Sequence, residues 1–379
     1  MNVFTKMKRI LYLGGFDLPD NNAAAQRVIS NAKVFQELGY EVRLIGLDKT
    51  PSTLEYAGFQ CVNLKYPDSL KEWWDYVFTL DWYKKEIDSF RPSIVVAYNH
   101  PAVALKRIHK YCHQLGIKVL ADCTEWYSPE GSCLRRFVKG WDVKKRMTKV
   151  HPGLDGVISI SKFLHEYYTS KQVKSIQLPP LVDLEEDKWK VNESPAKRGD
   201  IIKLIYAGSP GHKDWLGKVV SIVSAERFRK RVSMEVVGLD ESQFSSLYSY
   251  LGPVPDNIHF EGRLPHPEVI RRLKGSDFQI FIREDNLMTT AGFPTKFVES
   301  ISAGVPVLTN LTSNLSDYLR DGANGFVLQN ENDNALRESI DRVLSLSREE
   351  IDAIRASVDR STFDYRRYVP KVSEFLSDI

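Results

Sequence analysis

Cysteine is scarce in this sequence, and the four present (Cys61, Cys112, Cys123 and Cys133) stand at irregular intervals. Such spacing does not build a disulfide framework, so reduced thiols in a cytoplasm are the simplest expectation. A surplus of either charge is missing too: 52 Lys plus Arg face 49 Asp plus Glu, a formal net charge of +3. That balance leaves no global basic face of the kind a nucleic-acid binder needs. No apolar run nears the roughly 20 residues of a membrane span. The opening MNVFTKMKRILYLGG has only a short apolar stretch and reads as a first strand rather than a signal peptide. Repeats and low-complexity tracts are absent. Gly14-Gly15 does not begin a G-x-G-x-x-G dinucleotide fingerprint, because Phe16–Arg27 holds no glycine.

What is present is ordinary for a folded chain: 42% hydrophobic and 27% charged residues over 379 positions, enough for two domains. Short, wholly apolar runs alternate with longer amphipathic stretches. Arg9–Gly14, Glu41–Ile45, Ser93–Ala97 and Lys118–Ala121 are compact and β-branched, with Ala24–Leu38 and Val103–Leu115 among the helical pieces between them. Runs without polar alternation suit strands covered on both faces, and the alternation predicts doubly wound α/β architecture. Charged, apolar-poor residues Leu184–Asp200, preceded by Pro179 and Pro180, read as a linker. Alternation resumes at Lys203–Ala207, Met234–Gly238, Ile258–Glu261, Phe278–Ile282, Pro306–Thr309 and Gly325–Leu328. The expectation is therefore two Rossmann-like domains, 1–185 and 186–363, facing a central cleft, with a C-terminal helix over 364–379 packing back on the first. Ligands of such sheets bind beyond the carboxyl ends of the strands.

The most informative segment is AGFPTKFVESISAGVPVLT, Ala291–Thr309. Gly292 permits a tight turn, Pro294 suits a helix start, and Thr295–Ala303 has a helical pattern ended by Gly304. Backbone amides near Thr295–Phe297 would form an anion site at the helix N-terminus. Glu299, one turn in, then makes chemical sense as an acceptor for a neutral diol such as a ribose. An acid favouring the helix dipole is the alternative.

The segment resembles the nucleotide-sugar site of GT-B glycosyltransferases, specifically retaining enzymes of glycosyltransferase family 4, through Gly292, Phe293, Glu299, Gly304, Pro306 and Val307. The resemblance implies ribose binding by Glu299 and donor contacts by Gly292, Phe293, Thr295 and Lys296. The family's first glutamate, which contacts the donor sugar, aligns with Ala291. Pro294-Thr295-Lys296 is similar to a subset that carries proline and lysine here. Tyr206–Lys213 resembles the stretch where a Gly-Arg…Lys pattern grips the donor diphosphate. Gly208 and Lys213 fit it, Ser209 replaces the arginine, and Arg283 at the end of FQIFI would supply that charge or stand as a surface arginine. Ile258–Leu264 is similar to a turn whose backbone at Gly262 reads the base, with Arg263 stacking on it. Asp155–Leu164 followed by PPLVD resembles the exit from the first domain.

In the first domain Gly14-Gly15 resembles the glycine-rich first loop, with Gly15 allowing close backbone approach and Asp17 facing the cleft. Asp122-Cys123-Thr124-Glu125 resembles an Asp-x-His-Glu turn with threonine for histidine. Asp122 and Glu125 would orient an acceptor or cap the next helix. Asp17, Asp122, Glu125 and Lys213 are thus the catalytic candidates. His109, Cys112 and His113 share a helix, but a further metal ligand is not evident and no Asp-x-Asp occurs, so neither a metal nor any cofactor is expected. The basic stretch Leu134–Lys149, holding Phe137, Trp141 and one acid, Asp142, would rest on an anionic membrane or form a solvated helix. The implied function is sugar transfer from a nucleoside diphosphate sugar to a glycan in the cytoplasm, without nucleic acid, with the inner face of the membrane and a lipid-linked acceptor as the setting where the basic stretch is used. Because Ala291, Ser209 and Thr124 all depart from the family pattern, a non-catalytic partner of another transferase is the rival. A sugar-nucleotide epimerase is a third reading, which the Ala291–Val307 match disfavours.

Overall fold

The computed structural model describes residues 8–19, 22–127, 133–190, 199–210 and 214–379. Two compact units emerge. The first contains the chain to Val182, together with Thr290–Phe293 and Tyr365–Ile379; the second contains Asp183–Thr289 and Pro294–Asp364.

The first unit is built on eight strands: β1 (Arg9–Gly14), β2 (Glu41–Asp48), β3 (Ser52–Tyr56), β4 (Phe59–Lys65), β5 (Ile94–Tyr98), β6 (Lys118–Cys123), β7 (Gly156–Ser159) and β8 (Ser175–Gln177). Their order is β3-β4-β2-β1-β5-β6-β7-β8, and every pairing is parallel except β3 with β4. Central β1 is apolar from Ile10 to Leu13 because both faces are covered there: Ile10, Leu11, Tyr12 and Leu13 are wholly buried. The helix Ala23–Glu37, capped by the Asn22 side chain on the Ala25 N–H, lies over this core through Val28, Ala32 and Phe35. The β3–β4 hairpin, absent from the sequence expectation, turns through Ala57 and Gly58, both at positive φ. Polar and apolar residues are mixed in it, since it forms the sheet edge and has one exposed face.

The second unit has a six-stranded parallel sheet: β9 (Ile202–Ala207), β10 (Val232–Val237), β11 (Ile258–Gly262), β12 (Phe278–Ile280), β13 (Val307–Thr309) and β14 (Gly325–Val327). The order β11-β10-β9-β12-β13-β14 steps outward in one direction from β9, then reverses and continues from β12. That is the doubly wound order, and its reversal between β9 and β12 opens a crevice at their carboxyl ends.

The expected linker is partly structured. Trp189 is buried, its ring sits edge-on to His266, and Arg360 donates to its carbonyl. Its indole area outweighs the polar neighbours that gave the segment a linker-like composition; residues 191–198 lie outside the described part. At the C-terminus, 3-10 turns precede the helix Val369–Ser377, whose Val372 and Phe375 join the first unit's core. Lys371 donates to the Gln177 carbonyl at 2.9 Å, and the Tyr365 hydroxyl lies 3.0 Å from Glu37 Oε1.

Candidate functional site

At the β9–β12 reversal a buried polar cluster is centred on Asp214. The Tyr206 hydroxyl, from the penultimate position of β9, donates to Asp214 Oδ2 at 2.6 Å, and Lys296 Nζ reaches the same oxygen at 2.8 Å. Arg283, just past β12, places Nε 3.7 Å from Asp214 Oδ1. Side-chain exposure is only 4% for Asp214, 10% for Arg283 and 17% for Lys296. Burial first, and then the neighbouring Asp214 carboxylate, push the Tyr206 phenol well above its usual range, which keeps it a donor at neutral pH.

Backbone contacts fix these groups. The Arg283 N–H donates to Asn310 Oδ1 and the Asn310 amide donates back to the Arg283 carbonyl, both at 2.9 Å. Trp215 N–H bonds the Ile282 carbonyl at 2.8 Å. Lys296 passes so close to Gly208 that a Cβ there would lie 2.9 Å from Lys296 Cε, while the φ of +124° at Gly208 also disfavours a side chain. Two cations converge on one acid at the strand reversal, an arrangement suited to receiving a phosphate.

Lys296 is the second residue of the helix Thr295–Ser302, for which Pro294 is the cap residue rather than the first helical one. The expected anion site loses one of its amides, because Phe297 N–H closes a tight turn onto the Pro294 carbonyl at 3.1 Å. One turn on, Glu299 is 18% exposed and its Oε1 lies 3.2 Å from His266 Nε2. No other partner of Glu299 is present among the described residues, so Oε2 can accept from a ligand hydroxyl. His266 and Asp214 escaped the sequence reading. Asp214 follows Lys213 directly, and an acid beside expected phosphate-binding cations gave no signal by type; its role depends on a contact 82 residues away.

The remaining expected donor contacts divide. Arg283 is buried against Asp214 and is not a surface arginine. Ser209 and Arg263 are exposed, and Gly262 is half-buried at positive φ. Lys213 lies outside the described residues. Gly292 and Phe293 are buried and belong to the first unit, where the Ser161 hydroxyl donates to the Ala291 carbonyl at 2.7 Å.

In the first unit one expectation is corrected. Strand β6 continues through Cys123, so Asp122 is not in a turn; it pairs in register with Tyr98 and is wholly buried. The Arg27 guanidinium forks onto it at 2.7–3.1 Å and the Tyr12 hydroxyl donates at 2.5 Å. Asp122 is a core ion-pair partner, out of reach of substrate. Gly15, expected to allow close backbone approach to a ligand, is exposed, and a Cβ there would lie 3.5 Å from the Tyr76 hydroxyl, an ordinary contact; at Gly14 a Cβ would lie 2.6 Å from the Tyr98 carbonyl. Asp17 and Glu125 are half-buried and remain able to meet a ligand.

Two doubly wound units, the second with a basic crevice at its strand reversal, define a GT-B architecture. Residues 189–357 match the family model described as glycosyl transferases group 1. Solved structures share the fold over nearly the whole chain. A sucrose-phosphate synthase from Thermosynechococcus elongatus superposes with a TM-score of 0.72 at 13% identity, covering 98% of each chain. A glycosyltransferase from Rickettsia africae gives 0.67 at 15% identity over 98% of this chain and 99% of its own. HepE of Anabaena, solved in complex with UDP-glucose, gives 0.66 at 14% identity over 98% and 100%. No curated protein matches by sequence.

Proposed function

We propose that the chain transfers a sugar, with retention, from a nucleoside-diphosphate sugar to an acceptor hydroxyl in cell-surface polysaccharide or glycoconjugate assembly. The observation carrying this reading is the pair of cations, half-buried Lys296 and buried Arg283, on Asp214 at the β9–β12 reversal, with Lys296 on the same helix as Glu299. The cations would hold the diphosphate and stabilise charge developing on it as the sugar leaves, which makes a divalent ion unnecessary at that step. Glu299, steadied by His266, would accept from ribose hydroxyls. Asp17 and Glu125 are the acceptor-side candidates.

The acceptor side would work at the inner face of a membrane. The helix Cys133–Lys145 exposes Phe137, Val138 and Trp141, with Lys145 Nζ 4.3 Å from the Trp141 ring centroid. Its acid, Asp142, turns inward to accept the Ala102 N–H at 2.8 Å, leaving the apolar face flanked by lysines, a pattern suited to anionic lipid. No helix among the described residues is long and apolar enough to cross a membrane.

The rival, a non-catalytic partner protein, draws on Ala291, wholly buried where the resembled enzymes carry a glutamate. A thermal-shift screen of nucleotide sugars followed by donor hydrolysis separates the two. The enzyme reading expects a melting shift with one nucleotide class, reflecting about 2.7 kcal/mol at a hundredfold excess over the dissociation constant, and slow donor hydrolysis. Absence of both would leave the partner reading.

A further inference from the structure

At the opposite end of the first sheet, far along the strands from their carboxyl ends, three donor atoms converge. His109 and His113 stand one turn apart on the helix Ala102–Gln114, with Nε2 atoms 3.0 Å apart and ring centroids at 4.0 Å. Asp155, immediately before β7, puts Oδ2 at 2.9 Å from His113 Nε2 and 3.9 Å from His109 Nε2. The carboxylate is held in place: Oδ2 accepts the Val119 N–H at 2.8 Å, and Oδ1 pairs with Lys118 Nζ at 3.2 Å.

The proton count favours a cation. If both imidazoles are neutral with Nδ1 protonated, two Nε2 lone pairs and a carboxylate oxygen point at one another with nothing between them. A proton on His113 Nε2 serves Asp155 but still leaves the His109 lone pair facing a nitrogen. A metal ion bound at ~2.0–2.1 Å to each donor has neighbouring ligands about 3.0–3.5 Å apart, and two of the three separations lie close to that range.

We propose that His109, His113 and Asp155 bind a divalent transition metal of the zinc class, clamping the helix Ala102–Gln114 to the starts of β6 and β7. Two imidazoles and one carboxylate select zinc, nickel or cobalt over magnesium or calcium. Asp155 is 8% exposed while His113 is 49% exposed, so the anchor is buried and the open side admits the ion and completing water. Val119 N–H and Lys118 are the outer groups that orient the carboxylate. Cys112 on the same helix is wholly buried and takes no part. The site lies at the amino-terminal ends of the strands, away from where such sheets bind substrates. Its role is structural, and it stands independently of the glycosyltransfer reading.

The test uses tag-free full-length protein. Equilibrium dialysis against zinc should show one bound equivalent, and cobalt should give the ligand-field absorption of a nitrogen-oxygen site. Zinc at a hundredfold excess over its dissociation constant should raise the melting temperature by about 5 °C or more. His109→Gln with His113→Gln should abolish uptake and the shift. These substitutions leave the Asp155–Lys118–Val119 contacts in place, and circular dichroism of the variant verifies folding. Should that double substitution prevent folding, His113→Gln alone, on the exposed ring, reads the same loss. No zinc uptake by the wild type, uptake unchanged in the variants, or an equal shift with magnesium would overturn the assignment.

Discussion

Lys296→Met separates a phosphate-binding lysine from a merely structural one. Lys296 Nζ sits 2.8 Å from Asp214 Oδ2, with Arg283 Nε 3.7 Å from the other oxygen. Losing the ammonium therefore leaves Asp214 one cation and the Tyr206 hydroxyl, so it is not stranded. The folding cost should stay at about 1–3 kcal/mol, below the ~3–5 kcal/mol of an abandoned buried charge. The effect on a diphosphate is larger. A unit charge ~4 Å away at an effective dielectric near 20 contributes about 4 kcal/mol per unit of opposing charge. If about 3 kcal/mol of this appears only as the sugar–phosphate bond breaks, kcat falls roughly 100-fold with a smaller change in KM. The assay is donor hydrolysis or transfer with the nucleotide sugar chosen by thermal shift, on protein whose folded fraction is checked at the assay temperature. Turnover within about threefold of wild type in a folded Lys296→Met protein would refute the role, and a matching loss of melting temperature alone would make Lys296 a structural partner of Asp214.

Glu299→Ala should weaken nucleotide binding by about 1.5–3 kcal/mol through loss of charge-assisted hydrogen bonds; calorimetry giving unchanged affinity removes it as the ribose ligand. Asp122→Ala strands the buried Arg27 guanidinium, whose remaining partner is the Leu178 carbonyl at 3.0 Å, and should cost about 3–5 kcal/mol in urea unfolding; an unchanged midpoint would contradict the core role. His100, wholly buried among the Tyr76 and Tyr83 rings, is held to a pKa of about 3 by burial and then by Arg146. The unfolded chain takes up that proton below about pH 6.5 while the folded one does not, so stability falls as pH drops from about 6.5 toward 3, by on the order of 5 kcal/mol in all. His100→Leu should flatten that slope, leaving the share due to buried His151, and an unaltered acid profile would exclude His100 as a source. Phe137→Ser with Trp141→Ser should release the protein from anionic vesicles in flotation without changing donor binding; wild type that never floats with such vesicles ends the membrane reading.

The sheets were legible because strands covered on both faces are apolar along most of their length, as Ile10–Leu13, Leu204–Ala207 and Phe278–Ile282 are, with Gln279 the one polar residue among them. The β3–β4 hairpin was not, since an edge strand with one wet face mixes polar and apolar residues as loops do. The site was legible where local chemistry is set by neighbours in sequence, as with Lys296 and Glu299 on one short helix. It failed where the partner arrives from a distant strand. Asp122 looked like a substrate contact because it ends an apolar run, yet one more residue of strand turned it toward Arg27, 95 positions away. A carboxylate in a sequence has no direction until the strand register is known. That is why Asp122 left the candidate site and Asp214 and His266 entered it, and why Asp155, unremarkable in the sequence, completes a cluster with two histidines that lacked a third ligand. Residue type names the chemistry available; register decides which atoms meet.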